Sequence, residues 1–220
     1  RERFGLNAGG EPLILAASTH APEEKIILES FKQVRASRPV RLMLAPRHPE
    51  RFAEVASLIQ SAGLTWARRT NASDAGDASA AVILLDTIGE LPAIYALASV
   101  VFVGGSIVDR GGHNVLEPAA GGVPVVTGAH THNFHAIVNL MNEAGAIVQL
   151  PPLEGDAASS ALAEVLIDLL ANPERRAELT TRATQLITPN QGAAERTIKL
   201  ITPLLATKRR DSSQSNSVLA

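Results

Sequence analysis

Residues 104–118, Gly-Gly-Ser-Ile-Val-Asp-Arg-Gly-Gly-His-Asn-Val-Leu-Glu-Pro, hold the densest group of side chains and free backbone able to take an anion. Four glycines among the first nine of these residues let the main chain turn sharply and let a ligand come close, because no Cβ stands in the way. The stretch follows the apolar run 100–103 and leads into a small-residue helix at 119–121, so a strand end opens onto a helix start. Helix starts in that position offer unpaired N–H groups to anions. The loop, Gly105 included, is therefore read as the centre of a site for a phosphate-bearing ligand. Asn114 and the N–H groups beside it point toward phosphate, and Glu117 toward paired sugar hydroxyls, since a carboxylate accepts two hydroxyl donors in one plane. The same two residues also fit a capping box, and taken alone they need no other explanation.

Three further groups could serve such a ligand. Arg47, in Pro46-Arg47-His48-Pro49, carries a permanent charge with paired donors that match phosphate oxygens, although a surface arginine between two prolines is an equally good account. Thr87-Ile88-Gly89-Glu90 has capping-box spacing, which explains Thr87 and Glu90 but not a glycine in a first turn. A base or ribose lying against the backbone explains Gly89. Of the six histidines, His113 and His130 are candidate hydrogen-bond donors to the ligand. No metal site is expected, because neither H-x-x-x-H nor H-E-x-x-H spacing occurs. G-x-S-x-G, the G-x-x-x-x-G-K-[ST] loop and an early G-x-G-x-x-G are also missing, which removes support from hydrolase, P-loop and dehydrogenase chemistry.

The elements that must position these groups alternate along the chain. Short apolar runs at 12–17, 41–45, 64–68, 82–85, 100–103, 123–127 and 146–150 read as strands buried on both faces. Between them lie amphipathic stretches: one opened by Pro22 with Glu23 and Glu24 favouring its dipole, one carrying Phe52, Val55 and Ile59, one opened by Pro92, and one carrying Phe134, Ile137, Val138 and Met141. Three helices follow, at 156–171, 173–187 and about 191–205. This alternation predicts an α/β fold, a doubly wound parallel sheet of Rossmann type, with every glycine-bearing or polar corner on one edge. Residues 71–80, poor in bulky side chains, read as a solvated, mobile loop. Residues 1–11 read as a linker, 12–206 as a single domain and 207–220 as a disordered tail. The start, without an initiator Met, suggests a fragment.

Composition narrows the classes. The 220 residues carry a net charge of −2 with scattered charges, so no footprint for nucleic acid is present. With no cysteine there are neither disulfides nor thiolate metal sites. No apolar run is long enough to span a bilayer and no signal peptide opens the sequence, so a soluble chain is expected.

The runs Ala16-Ala17-Ser18-Thr19-His20, Pro46-Arg47-His48-Pro49-Glu50-Arg51, Asp86-Thr87-Ile88-Gly89-Glu90-Leu91 and 104–118, in this order, together with 128–134, resemble the C-terminal half of the 3-deoxy-D-manno-octulosonic acid (Kdo) transferases. The resemblance covers about 12–150. It implies the C-terminal, nucleotide-binding domain of a two-Rossmann-domain glycosyltransferase that moves Kdo from CMP-Kdo to a lipid A precursor of lipopolysaccharide in Gram-negative bacteria. By motif, Pro46, Arg47, Ile88, Gly89, Glu90, Asn114, Val115, Leu116 and Glu117 would contact CMP, with Ser18, Gly105, His113, His130 and Asn133 as further candidates. Arg47 and the helix start at Asn114 would ease departure of CMP by neutralising its phosphate. The resemblance also implies no cofactor and no metal. It puts the catalytic carboxylate, the acceptor site and the membrane-associating segment in an N-terminal half, so this chain would bind without catalysing and the whole protein would work at the cytoplasmic face of the inner membrane. Val115 and Ala129 depart from the family, which more often has Pro at both. A UDP-sugar transferase or epimerase of the same architecture, and a non-catalytic nucleotide-binding module, stay open as alternatives at this point.

Overall fold

Strands with both faces covered need no polar face, and the continuous apolar runs of this sequence form such strands. The computed structural model describes residues 2–6, 9–190 and 201. Seven strands make one all-parallel sheet: β1 (Leu13–Thr19), β2 (Arg41–Pro46), β3 (Trp66–Arg68), β4 (Val82–Leu84), β5 (Val100–Val103), β6 (Val125–Thr127) and β7 (Val148–Gln149). Their order across the sheet is β3-β4-β2-β1-β5-β6-β7. The chain winds outward from β1 through β2, then returns with β5 to the other side of β1. The order thus reverses between β1 and β5, and the crevice outside their carboxyl ends is where a doubly wound sheet holds ligands.

Helices α1 (Glu23–Ser37), α2 (Phe52–Ser61), α3 (Leu91–Tyr95), α4 (Leu116–Ala120), α5 (His135–Glu143), α6 (Gly155–Ala171) and α7 (Pro173–Ile187) connect and cover the strands. One core joins Ile14, Leu42, Leu84 and Phe102 of the sheet to Ile27, Phe31 and Val34 of α1, Val55 and Ile59 of α2, and Leu162, Leu166 and Leu169 of α6. Burying a side chain of this size contributes roughly 2 kcal/mol. The alternate strand residues Leu15, Met43, Ile83 and Val101 are buried as well, as sheets covered on both faces require. The chain divides after Gln185 into two compact units, and everything that follows concerns the first, Arg1–Gln185. The helix expected at 191–205, apart from residue 201, the domain end at 206 and the tail at 207–220 lie outside the described residues.

Glu23 and Glu24 lie in the first turn of α1, where the sequence places them, and both are fully buried. Two local expectations need correction. The small-residue helix at 119–121 is the end of α4, which begins at Leu116 and closes at Ala120. The segment 71–80 is not solvated throughout, because Asp77 is buried and accepts a 2.7 Å ion pair from Arg3 and the N–H of Asp74 at 3.0 Å. Arg3 also donates to the carbonyls of Arg68 and Arg69, so a residue 74 positions away anchors this segment.

Candidate functional site

The crevice is built from the corners after β1, β5 and β6. Near the end of β1 stands Ser18, a non-glycine residue with φ of 57°, and after Thr19 the chain turns through His20 into α1. This turn drives Glu23 under the glycine loop. Its carboxylate accepts the N–H groups of Gly105 at 2.8 Å, Ser106 at 3.1 Å, Ile107 at 3.0 Å and His20 at 3.3 Å. Burial pushes its pKa up to about 7 against the pull of those N–H donors. Gly104 is glycine for the same reason: a Cβ there would lie 2.7 Å from Glu23 Oε2 and 2.8 Å from the Ser18 carbonyl. The loop thus wraps a carboxyl group of its own chain. The N–H groups of Gly105, Ser106 and Ile107 are thereby spent on Glu23.

Ser106 ties the next corner to this one. Its hydroxyl donates to the Val103 carbonyl at 2.6 Å and accepts the Gly128 N–H at 2.8 Å, while its carbonyl accepts the His130 N–H at 2.8 Å. Asn133 holds the loop tip, its side chain donating to the Arg110 carbonyl at 3.1 Å and its N–H to the Gly111 carbonyl at 3.1 Å. The His130 and His132 rings stand 3.7 and 3.5 Å from the Asp109 carboxylate. Among the described residues no group of three or more His, Cys, Asp or Glu is placed to hold a metal ion.

The corner after β2 is fixed to β1. The Arg47 N–H donates to the Thr19 carbonyl at 3.0 Å, and buried Glu24 accepts the Thr19 hydroxyl at 3.0 Å and a forked contact from Arg51. Pro46 is buried at the end of β2, whereas Arg47 is exposed, and among the described residues its guanidinium has no partner. His20 and His113 meet there, Nε2 to Nε2 at 2.8 Å, with His48 edge-on to His20. Burial, His20 and then Arg47 hold the His113 pKa down at about 4. Burial and His48 lower that of His20 as well.

After β4, Asp86 is pinned by Arg68 and by the Thr70 N–H at 3.0 Å and hydroxyl. Burial opposes its ionisation, yet the Thr70 and Arg68 contacts prevail and hold its pKa below the usual carboxylate value. The capping box expected at 87–90 does not form. α3 starts after Glu90 with no side-chain cap, the buried Thr87 hydroxyl has no partner among the described residues, and Glu90 reaches Arg69 at 3.1 Å. Arg69, on the chain leaving β3, thus holds the Glu90 carboxylate away from the helix start. Gly89 takes φ of 86° with open space where a Cβ would stand, and Ile88 beside it is 66 % exposed. This backbone is open to a flat ligand.

The second expected capping box is also replaced. Asn114 accepts the Leu116 N–H at 3.0 Å and donates to Glu117 Oε1 at 3.2 Å, so Glu117 bonds the side chain of Asn114 rather than its backbone. Oε2 of exposed Glu117 has no partner among the described residues. With five residues, α4 gathers little dipole. Val115 is buried and Leu116 half-buried. α3 and α4 lie side by side, with burial and then Glu117 raising the Tyr95 pKa to about 12, so the corner at 88–90 neighbours the one at 114–117. A separate groove of about 680 Å³, lined by Lys25, Val108, Asp109, His130 and Asp156 among others, opens beside the glycine loop and includes none of Arg47, Gly89, Asn114 or Glu117.

Sequence reasoning missed Glu23, Glu24, His20 and Arg51 as parts of the site. The one available signal was a glycine loop with many free N–H groups and two adjacent acids one corner away.

No family model matches the chain. It is 38 % identical over 195 residues to the 3-deoxy-D-manno-octulosonic acid transferase of Haemophilus influenzae, covering 88 % of this chain and 44 % of that protein. The enzyme of the same name from Bordetella pertussis is also 38 % identical over 195 residues, 87 % of this chain and 44 % of the relative. The chain thus spans a little under half the length of these relatives. Among solved structures, the C-terminal CMP-Kdo binding domain of WaaA from Acinetobacter baumannii superposes with a TM-score of 0.75 at 35 % identity, over 84 % of this chain and 93 % of that one.

Proposed function

Because this chain belongs to the 3-deoxy-D-manno-octulosonic acid transferase family, we propose that it is the donor-binding half of such an enzyme, holding CMP-Kdo while Kdo passes to a lipid A precursor. The observation that carries the reading is the set of groups left unspent at one sheet edge in a chain of this family. These are the free guanidinium of Arg47, the open backbone at Gly89 and the unpaired oxygen of Glu117. Pro46 and Arg47 receive the phosphate. Ile88, Gly89 and Glu90 offer backbone to the base, and Asn114 through Glu117 take the ribose, with Glu117 Oε2 accepting its hydroxyls. Arg47 then stabilises the charge that collects on CMP as it departs.

The catalytic carboxylate, the acceptor site and the membrane-associating segment are assigned to the remainder of a full-length enzyme acting at the cytoplasmic face of the inner membrane. Among the described residues no helix is long and apolar enough to cross a membrane. Calorimetric titration of the chain with CMP, UMP and AMP tests the reading. CMP is expected to bind tightest and to shift the amides of Gly89 and Asn114, and Arg47→Ala to weaken it at least about tenfold, near 1.4 kcal/mol. Equal or tighter binding of UMP would overturn the assignment of the donor.

A further inference from the structure

Two imidazoles hydrogen-bonded through Nε2 atoms 2.8 Å apart must present one N–H and one lone pair, so the neutral pair already holds its contact with a single proton between the rings. A further proton converts it to an imidazolium bonded to an imidazole without breaking that contact; two further protons would set N–H against N–H. The His20–His113 pair can therefore gain one charge at little structural cost. The rings are nearly parallel, 10° apart, and lie against Gly105, whose Cβ position would fall 3.2 Å from His113 and 3.3 Å from His20.

The charges facing the pair come from four corners. From the β2 corner they are Arg47, His48 and Arg51, and from the glycine loop Arg110. From the β1 corner they are Glu24, already held by Arg51 and Thr19, and Glu23, enclosed by backbone N–H groups. Asp109 at the loop tip is engaged with His130 and His132 of the β6 corner. Neither Arg47 nor Arg110 has a side-chain partner among the described residues. Cationic groups thus outnumber free carboxylates around an imidazole pair kept neutral. That arrangement suits a small dianion.

We propose that His20 and His113 form a proton-sharing pair that takes up one proton when a phosphate monoester dianion binds between Arg47 and Arg110. The proposal rests on the nucleotide reading above and deepens it. A donor phosphate esterified to both nucleoside and sugar carries one negative charge. When the bond between the sugar's anomeric carbon and the phosphate oxygen breaks, the electron pair stays on that oxygen and the departing monoester carries two. One proton drawn from solvent onto the pair offsets the added charge, and the pair itself makes no bond to the substrate. Binding a dianion favours the protonated pair by the same amount that the protonated pair favours the dianion.

The test follows the His imidazole resonances of the isotopically labelled chain from pH 3 to 8.5, alone and with CMP, cytidine or inorganic phosphate. CMP and phosphate are expected to raise the midpoint of the pair by about one unit or more, a tenfold change in proton affinity, while cytidine leaves it in place. In His113→Gln the ligand-induced shift of His20 is expected to shrink to a fraction of the wild-type shift. If CMP binds and shifts the Gly89 and Asn114 amides yet leaves the imidazole midpoints unmoved, the pair proposal is overturned and the nucleotide site stands. If phosphate raises the midpoint while CMP binds no better than phosphate, the pair stands and the nucleotide reading falls. If neither anion moves the midpoint, the pair proposal fails on the wild-type chain alone.

Discussion

Replacing Glu23 tests the account of the glycine loop most directly. Glu23→Ala strips the Gly105, Ser106 and Ile107 N–H groups of their acceptor in a fully buried place. At roughly 1–3 kcal/mol for each orphaned donor, the loss is about 3 kcal/mol or more. Glu23→Gln cannot ionise, but its amide nitrogen would face N–H groups that a carboxylate oxygen now accepts, so the charge is read from the pH dependence of the difference from wild type. The folded pKa of about 7 lies above the ordinary value of 4.5, and between those limits the folded chain binds more proton than the unfolded one. Wild-type stability from this group is then complete below about pH 4.5 and is lost as pH rises through 7. At about 1.4 kcal/mol per unit, the advantage of wild type over Glu23→Gln should shrink across that window by at most about 3.5 kcal/mol. Urea unfolding at several pH values, followed by the fluorescence of Trp66, the single tryptophan, measures both effects. If Glu23→Ala costs less than about 1 kcal/mol at pH 5, or the wild-type and Gln curves stay parallel, the carboxylate does not hold the loop as described.

Gly104→Ala drives a methyl to 2.8 Å from the Ser18 carbonyl and the Thr19 Cα, backbone that cannot swing aside, and should lower stability by about 2 kcal/mol in the same urea assay. Gly89→Ala meets no atom but places alanine at φ of 86°, so it should cost only about 1 kcal/mol of stability while weakening CMP at least tenfold by calorimetry. Unchanged affinity would remove that corner from the nucleotide site. The depressed pKa of Asp86 makes its contribution full above the unfolded carboxylate value, about 3.9, and lost as pH falls through the lower folded value. The advantage of wild type over Asp86→Asn, about 2 kcal/mol at pH 7, should therefore fade in acid unfolding.

The strands were readable in the sequence because burial on both faces leaves Val100–Val103 and its neighbours no polar residue to interrupt them. Pro92 was readable too, since a proline tolerates only the first turn of a helix, and α3 places it there. Several departures turn on a partner far away in the chain. Glu90 answers Arg69, Asp77 answers Arg3, and Glu23 answers a loop more than 80 residues on. Local rules account for acids at a helix start by its dipole, and that account is complete without burial, so nothing in the sequence asks for another. The N–H groups of the glycine loop take the carboxyl group of Glu23 from the β1 corner, and how that corner turns is not written in the loop itself.

The bonds made by Ser106 have a bearing on how any ligand would be met. One hydroxyl and one carbonyl join the corners after β5 and β6, and Glu23 fastens the first of them to the corner after β1. The entropy of ordering these loops is therefore lost while the chain folds, not when a guest arrives. Association at this edge should show the small heat-capacity change of rigid partners, without the large negative one that accompanies coupled folding, and the amides of Gly105, Ser106, Ile107 and Gly128 should exchange with solvent slowly even in the free protein.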